Sequence, residues 1–303
     1  MNLFPNNRYI FDGGMGQYLI EKGMVSKGTL WSASALIDEN LNNLVLDAHL
    51  DFINSGAQII VTNNFKVRKN TFNENGIIDK FDFANKKAGE LAFQAKIQSK
   101  KEILIAGSIP TRGVTYKVHQ DYNENEVHKE FFQTAKELNP FVDLFYLDVL
   151  CSTREIITAL DSIKNFNKPA LLGLHFKKNF LLPSGETIEK VSDAIKNYNC
   201  CGLMASCVSP EIYNVVSPVL KKQSLAYGFA VNAFINIPDD YELKLNEEFS
   251  KQPNAYLGLR KEITPKKFSE FAINSFDFFD AAYKEMGLST RSSVLNGVLV
   301  FPP

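Results

Sequence analysis

The chain has 303 residues, 45 % apolar and 22 % charged, with a net charge of −1. Charge that is spread and balanced leaves no basic stripe for a phosphate backbone, and four cysteines in this length do not make a disulfide framework. With no apolar run near the ~18 residues of a membrane helix and no signal-like segment before Asn7, nucleic acid and membrane are not expected partners, and a cytoplasmic location is expected.

The first apolar run, Tyr9–Asp12, breaks into Gly13-Gly14-Met15-Gly16. Three glycines in four positions remove every Cβ from this turn except that of Met15, so backbone N–H groups can approach a small ligand with Asp12 beside them. Helix Leu41–Ser55, strand Gln58–Asn63, helix Phe81–Gln98, strand Glu102–Gly107, helix Glu124–Leu138 and strand Asp143–Val149 follow. Helix Thr153–Asn165, strand Ala170–Phe176, helix Thr187–Asn197, strand Gly202–Cys207, helix Pro210–Lys222 and strand Leu225–Asn232 continue the alternation. Most of these strands are continuous apolar runs, which suits strands buried on both faces. The pattern predicts an α/β fold, a single-domain (β/α)8 TIM barrel over residues 1–303, with a parallel sheet. The stretch Thr264–Met286, stopping at Gly287, reads as a helix, so an eighth strand must be carved from its end or follow it.

In such a barrel the chemistry gathers where strands end at the C-terminal face. That filter selects Asp12, Asn63, Ser108, Asp148, Cys151, His175, Cys207 and Asn232. Asp12 suits a loop cap as well as a ligand group, and Asn63 and Ser108 could equally satisfy their own loops. Asp148 ends the run Leu144-Phe145-Tyr146-Leu147, where a carboxylate can pair with an ammonium group or bridge to a neighbouring loop.

Several of these segments occur in a telling order. The glycine loop is followed by Trp31-Ser32-Ala33, by His49-Leu50-Asp51-Phe52-Ile53 running through Gly56-Ala57 into Ile59-Ile60-Val61-Thr62-Asn63-Asn64-Phe65, and by Ala106-Gly107-Ser108-Ile109-Pro110. In this order the chain resembles the homocysteine S-methyltransferase family over most of its length. The segment Leu181-Leu182-Pro183-Ser184-Gly185-Glu186-Thr187 also resembles the loop after that family's fifth strand. The resemblance implies methyl transfer from an onium donor, of S-methylmethionine or betaine type, to homocysteine or a related thiol. It places Asp12, Gly13, Gly14 and Trp31 around a small-molecule substrate, with Asn63, Ser108, Asp148 and Asn232 as further binding groups. Trp31 would offer an apolar wall or a cation–π face to the onium group. Where the family carries Glu-Thr, this chain has Asp148-Val149.

The resemblance also implies zinc, held by three cysteines, that favours the substrate thiolate. Cys207, in Ala205-Ser206-Cys207-Val208-Ser209-Pro210-Glu211, matches the first ligand, but the Gly-Gly-Cys-Cys pair is absent and no cysteine follows Cys207. Counting from Thr264-Pro265 puts Met286 and Gly287 at the pair's place. Cys200 and Cys201 lie at the other end of the Cys207 strand, roughly 20 Å away at ~3.3 Å per residue. Cys151 and His175, with Asp148, end strands on the same face as Cys207 and are possible substitute ligands. Two other readings stay open: a metal-independent barrel enzyme on another methylated or amino-acid substrate, and a non-catalytic small-molecule-binding protein.

Overall fold

The computed structural model describes residue 4 and residues 8–208, 210–231 and 297–300. The strands are β1 Arg8–Phe11, β2 Ile59–Val61, β3 Leu104–Pro110, β4 Leu144–Leu150, β5 Ala170–Leu174, β6 Cys200–Val208, β7 Ala226–Val231 and β8 Gly297–Val300. The α-helices are α1 Met15–Glu21, α2 Ser34–Ile37, α3 Asn42–Asn54, α4 Lys69–Glu74, α5 Phe81–Ser99, α6 Glu124–Leu138, α7 Thr153–Ile163, α8 Ile188–Ala194 and α9 Pro210–Leu220. The strands close in sequence order into one barrel, as the alternation predicts.

The expectation of a wholly parallel sheet is corrected at the last strand. β1 to β7 pair in parallel, whereas β8 runs antiparallel to both β7 and β1, with Gly297 opposite Ala230 and Phe11 and Val300 opposite Tyr227 and Arg8. β8 therefore starts on the face where the other strands end, and fills the ladder groups that an open barrel would leave bare on β1 and β7. The helix read over Thr264–Met286, and with it Met286, Gly287 and Asn232, lies outside the described residues.

Alternation along each strand divides the apolar residues into two layers. Tyr9, Phe11, Ile59, Ala106, Leu144, Tyr146, Leu171 and Met204 fill the barrel interior. Their neighbours Ile10, Ile60, Ile105, Phe145, Leu172 and Leu203 face outward and pack with the helices. The same period of two carries Ser108 above Ala106, Asp148 above Tyr146 and Ser206 above Met204, so three polar side chains top the inward-facing columns.

Candidate active site at the barrel mouth

Two strands bulge just where those columns end. The β4–β5 register shifts between Leu147 and Leu150 and the β6–β7 register between Ser206 and Val208. Val149 and Cys207 hold φ of 61° and 54°. A positive φ is costly for a β-branched residue, and bulges of this kind re-aim the side chains beside them. Here they sit beside Asp148 and at Cys207. Beneath them the Tyr146 hydroxyl makes a short hydrogen bond to Ser206 Oγ, passing over Gly173.

The acidic groups are both desolvated. Asp12 Oδ2 accepts the Val61 N–H at 2.8 Å, and Asp148 Oδ2 accepts the Ser108 hydroxyl at 2.9 Å. Burial raises the Asp12 carboxyl well above the usual carboxylate range, against the pull of the Val61 N–H, and the charge of Asp148 adds to the rise. Burial lifts Asp148 to about 6, opposed by the Ser108 hydrogen bond and the Arg68 charge. Asp12 thus ties β1 to β2 and still faces the second carboxylate electrostatically. Positive charge bound near either carboxyl would offset its desolvation and favour its ionised form.

The glycine loop is shaped around Trp31. Half-buried Trp31 opens a single helical turn at φ 46°, and its indole lies so close to Gly16 that a Cβ there would meet Cζ2 at 2.3 Å. The loop and the indole therefore form one wall. Asn63 Nδ2 donates to the Ser32 carbonyl at 3.2 Å, holding the Trp31 segment against the end of β2. Asn64 Nδ2 donates to the Ser108 carbonyl and to Asn85 Oδ1. Gly13 and Gly14 separate Asp12 from the start of α1, with Gly14 at its N-cap.

Cys207 is half-buried at the end of β6, and its thiol is pushed up to about 12 by burial and by the Asp148 charge, against a hydrogen bond with Tyr116. The His175 ring stacks on Tyr116 with centroids 4.5 Å apart; its Nδ1 lies 3.3 Å from the Ser206 carbonyl, and burial lowers it to about 4. Cys151 is wholly buried, its Sγ 3.6 Å from the Val149 carbonyl. Cys201 Sγ donates instead to the Ala170 carbonyl, at the far end of β6. Among the described residues no three His, Cys, Asp or Glu side chains are placed together to hold a metal ion. Among the described residues only Cys207 matches a ligand of the implied zinc site, and Cys151 is wholly buried, so they do not supply the three ligands of a thiol-activating enzyme.

Sequence reasoning missed the residues that roof the mouth. Arg68, six residues past Thr62 and only 3 % exposed, donates from Nε to the Phe65 carbonyl at 3.0 Å and from Nη1 to the Gly113 carbonyl at 2.8 Å. Gly113 belongs to the irregular loop 111–123, which also carries Tyr116 onto His175 and Cys207. Glu155 secures that loop's start, accepting from the Thr111 hydroxyl at 2.7 Å and the Arg112 N–H at 3.1 Å. A wider strand-end filter, extended a few residues into each loop, would have found Arg68; nothing in the local sequence marks Tyr116.

Inward polar columns ending at one mouth, a glycine wall and a desolvated acidic pair define a (β/α)8 barrel protein of the enzyme type. The chain belongs to the homocysteine S-methyltransferase family, whose sequence model matches residues 9–283. It is 22 % identical over 274 residues to homocysteine S-methyltransferase 2 of Saccharomyces cerevisiae, with 83 % of each chain covered. It is 24 % identical over 247 residues to the selenocysteine methyltransferase of Astragalus bisulcatus, covering 70 % of this chain and 72 % of that one. Among solved structures, the metallated form of the homocysteine methyltransferase MmuM from Escherichia coli superposes with a TM-score of 0.69 at 20 % identity, over 76 % of this chain and 85 % of that one. That likeness establishes the shared barrel.

Proposed function

We propose that this protein is an S-methyltransferase that carries a methyl group from an onium donor, of S-methylmethionine or betaine type, to homocysteine or a related thiol. The names of its relatives, homocysteine and selenocysteine methyltransferases, support the acceptor class. The observation that carries the reading is the placement of two carboxyl groups, buried Asp12 and half-buried Asp148, where β1 and β4 end at the barrel mouth, a position suited to an ammonium or onium group. In the transfer, the acceptor sulfur forms the new S–CH3 bond as the donor's onium C–S or C–N bond breaks. The electron pair stays on the donor heteroatom and the thiol proton is released.

Asp148 and Asp12 hold the acceptor's ammonium or the donor's onium charge, Trp31 with Gly13 and Gly14 walls the ligand, and Asn63 and Ser108 fix the carboxylate side chains and strand ends around it. Asn232 is proposed with them from its place after the seventh strand. A metal-independent route is favoured as the second reading by the donor set, since Cys207 is the one cysteine that matches the family's ligands. No helix among the described residues is long and apolar enough to cross a membrane, which suits a cytoplasmic enzyme of small molecules.

The test is direct. Purified protein, with and without added zinc, is incubated with L-homocysteine and each donor, and methionine is followed by mass spectrometry. Methionine formed by the wild type and lost in Asp148→Asn is expected. No methionine from any donor, with or without zinc, overturns the transferase reading.

A further inference from the structure

Arg68 is a buried permanent charge with no carboxylate in direct contact among the described residues. A guanidinium has five N–H groups. Four contacts account for its hydrogen bonds: Nε to Phe65 O, Nη1 to Gly113 O, and Nη1 and Nη2 sharing the Thr115 hydroxyl at 3.3 Å each. All the acceptors are neutral, and two of the four bonds are long. The Phe65 ring lies 4.5 Å from the guanidinium carbon, and among the described residues no carboxylate comes within ion-pair distance of it.

The carboxylates around it are engaged elsewhere. Glu130 takes Arg112 Nε at 2.9 Å and the Lys69 N–H at 2.8 Å, Glu155 takes Thr111 and Arg112, and Asp148 takes Ser108. Burying a charge in this way is unfavourable unless something pairs with it. At least one Nη2 N–H has no acceptor among the described residues. Arg68 Nη1 is bound to the loop that carries Tyr116 onto His175 and Cys207, and the Arg68 charge acts on both Asp148 and Cys207. Lys66, two residues earlier, is also desolvated, which lowers its ammonium to about 8.

We propose that Arg68 is the anion subsite of this mouth and receives the carboxylate of the acceptor amino acid, while Asp12 and Asp148 face its ammonium. The site then offers a buried cation with one buried acid, Asp12, and one half-buried acid, Asp148, a set of charges complementary to a zwitterion. Planar bidentate pairing suits a guanidinium better than a point charge. The inference rests on the acceptor class proposed above.

The test compares two thiols with the same ammonium group, L-homocysteine and 3-aminopropane-1-thiol, which lacks the carboxylate. Calorimetry on the wild type should show homocysteine bound at least ~10-fold tighter; in Arg68→Gln the preference should shrink to ~3-fold or less through weaker homocysteine binding alone. An unchanged preference, or equal weakening of both ligands, overturns the proposal. Should the variant fail to fold, [15N]arginine-labelled wild type replaces it, with the Arg68 Nε–H resonance assigned by Arg68→Lys. That resonance should shift with homocysteine and stay in place with the aminothiol, and no shift overturns the proposal. If neither thiol binds, the transferase reading falls by itself, and L-2-aminobutyrate, a zwitterion without sulfur, becomes the probe. A shift of the Arg68 signal then keeps the subsite, and its absence removes it too.

Discussion

The Ser108 hydroxyl donates to Asp148 Oδ2 at 2.9 Å across the β3–β4 pair, from the neighbouring inward-facing column. This bond holds a carboxyl that burial has pushed up to about 6, and opposes that rise.

A carboxyl raised above its ordinary range keeps its proton to higher pH in the folded state than in the unfolded one. Its contribution to stability is therefore present below about pH 4 and lost as the pH rises through about 6. Asp148→Asn should remove this dependence and raise stability at pH 7, by up to about 3 kcal/mol on the scale of ~1.4 kcal/mol per unit. Affinity for a cationic ligand should grow in the wild type as the pH passes 6 and stay flat and weaker, by about 1.5–3 kcal/mol, in the variant. Thermal melts and ligand titrations from pH 4 to 8 measure both; a variant that tracks the wild type would assign Asp148 a structural role only.

The contact of Gly16 with Trp31 gives a second expectation. Trp31 is the sole tryptophan of the chain, so its emission reports this wall alone. A Cβ at position 16 would overlap the indole at 2.3 to 2.8 Å. Gly16→Ala should therefore shift the emission to the red and destabilise the fold by about 1–3 kcal/mol. Emission identical to that of the wild type would show that the indole does not rest on the glycine loop.

Gly173 plays a related part inside the barrel. An added methyl would stand 2.5 Å from Tyr146 Oη and 2.7 Å from Ser206 Oγ. Gly173→Ala should destabilise by about 1–3 kcal/mol, and Tyr146→Phe should recover part of that loss in the double variant. Strictly additive effects in denaturant unfolding would sink this account.

Glu186 supplies the acid-side counterpart. Burial alone would raise it, but Lys190 Nζ at 2.8 Å, the Thr153 N–H at 2.7 Å and the Ser184 hydroxyl at 2.7 Å hold it down at about 2. The stability it contributes is present above about pH 4.5 and fades as the pH falls toward 2. Because the group is partly solvated, Glu186→Gln should lose only about 1 kcal/mol at pH 7. The difference from wild type should close in melts below pH 3.

The barrel itself was legible in the sequence, because continuous apolar runs and amphipathic stretches alternate with little ambiguity. Helix Glu124–Leu138 matches its expected limits, where the Asn123 side chain caps the N-terminus by accepting the Glu126 N–H. The reversed direction of β8 was not legible, since Gly297-Val298-Leu299-Val300 carries the same apolar pattern read either way. Strand-end logic places Asp12, Asn63, Ser108 and Asp148 at the barrel mouth, where the strands do end. It missed Arg68 and Tyr116, whose places depend on the path of irregular loops. It also placed Cys151 and His175 just past the ends of β4 and β5, but could not foresee that Cys151 is wholly buried or that His175 Nδ1 turns to the Ser206 carbonyl.

The Tyr146–Ser206 hydrogen bond joins β4 to β6 across the intervening β5, just below the two bulges. It works as a tie-rod between β4 and β6 that does not depend on the β5 ladder. The ends of β4 and β6 that carry Asp148 and Cys207 are thus braced by a single bond beneath the mouth.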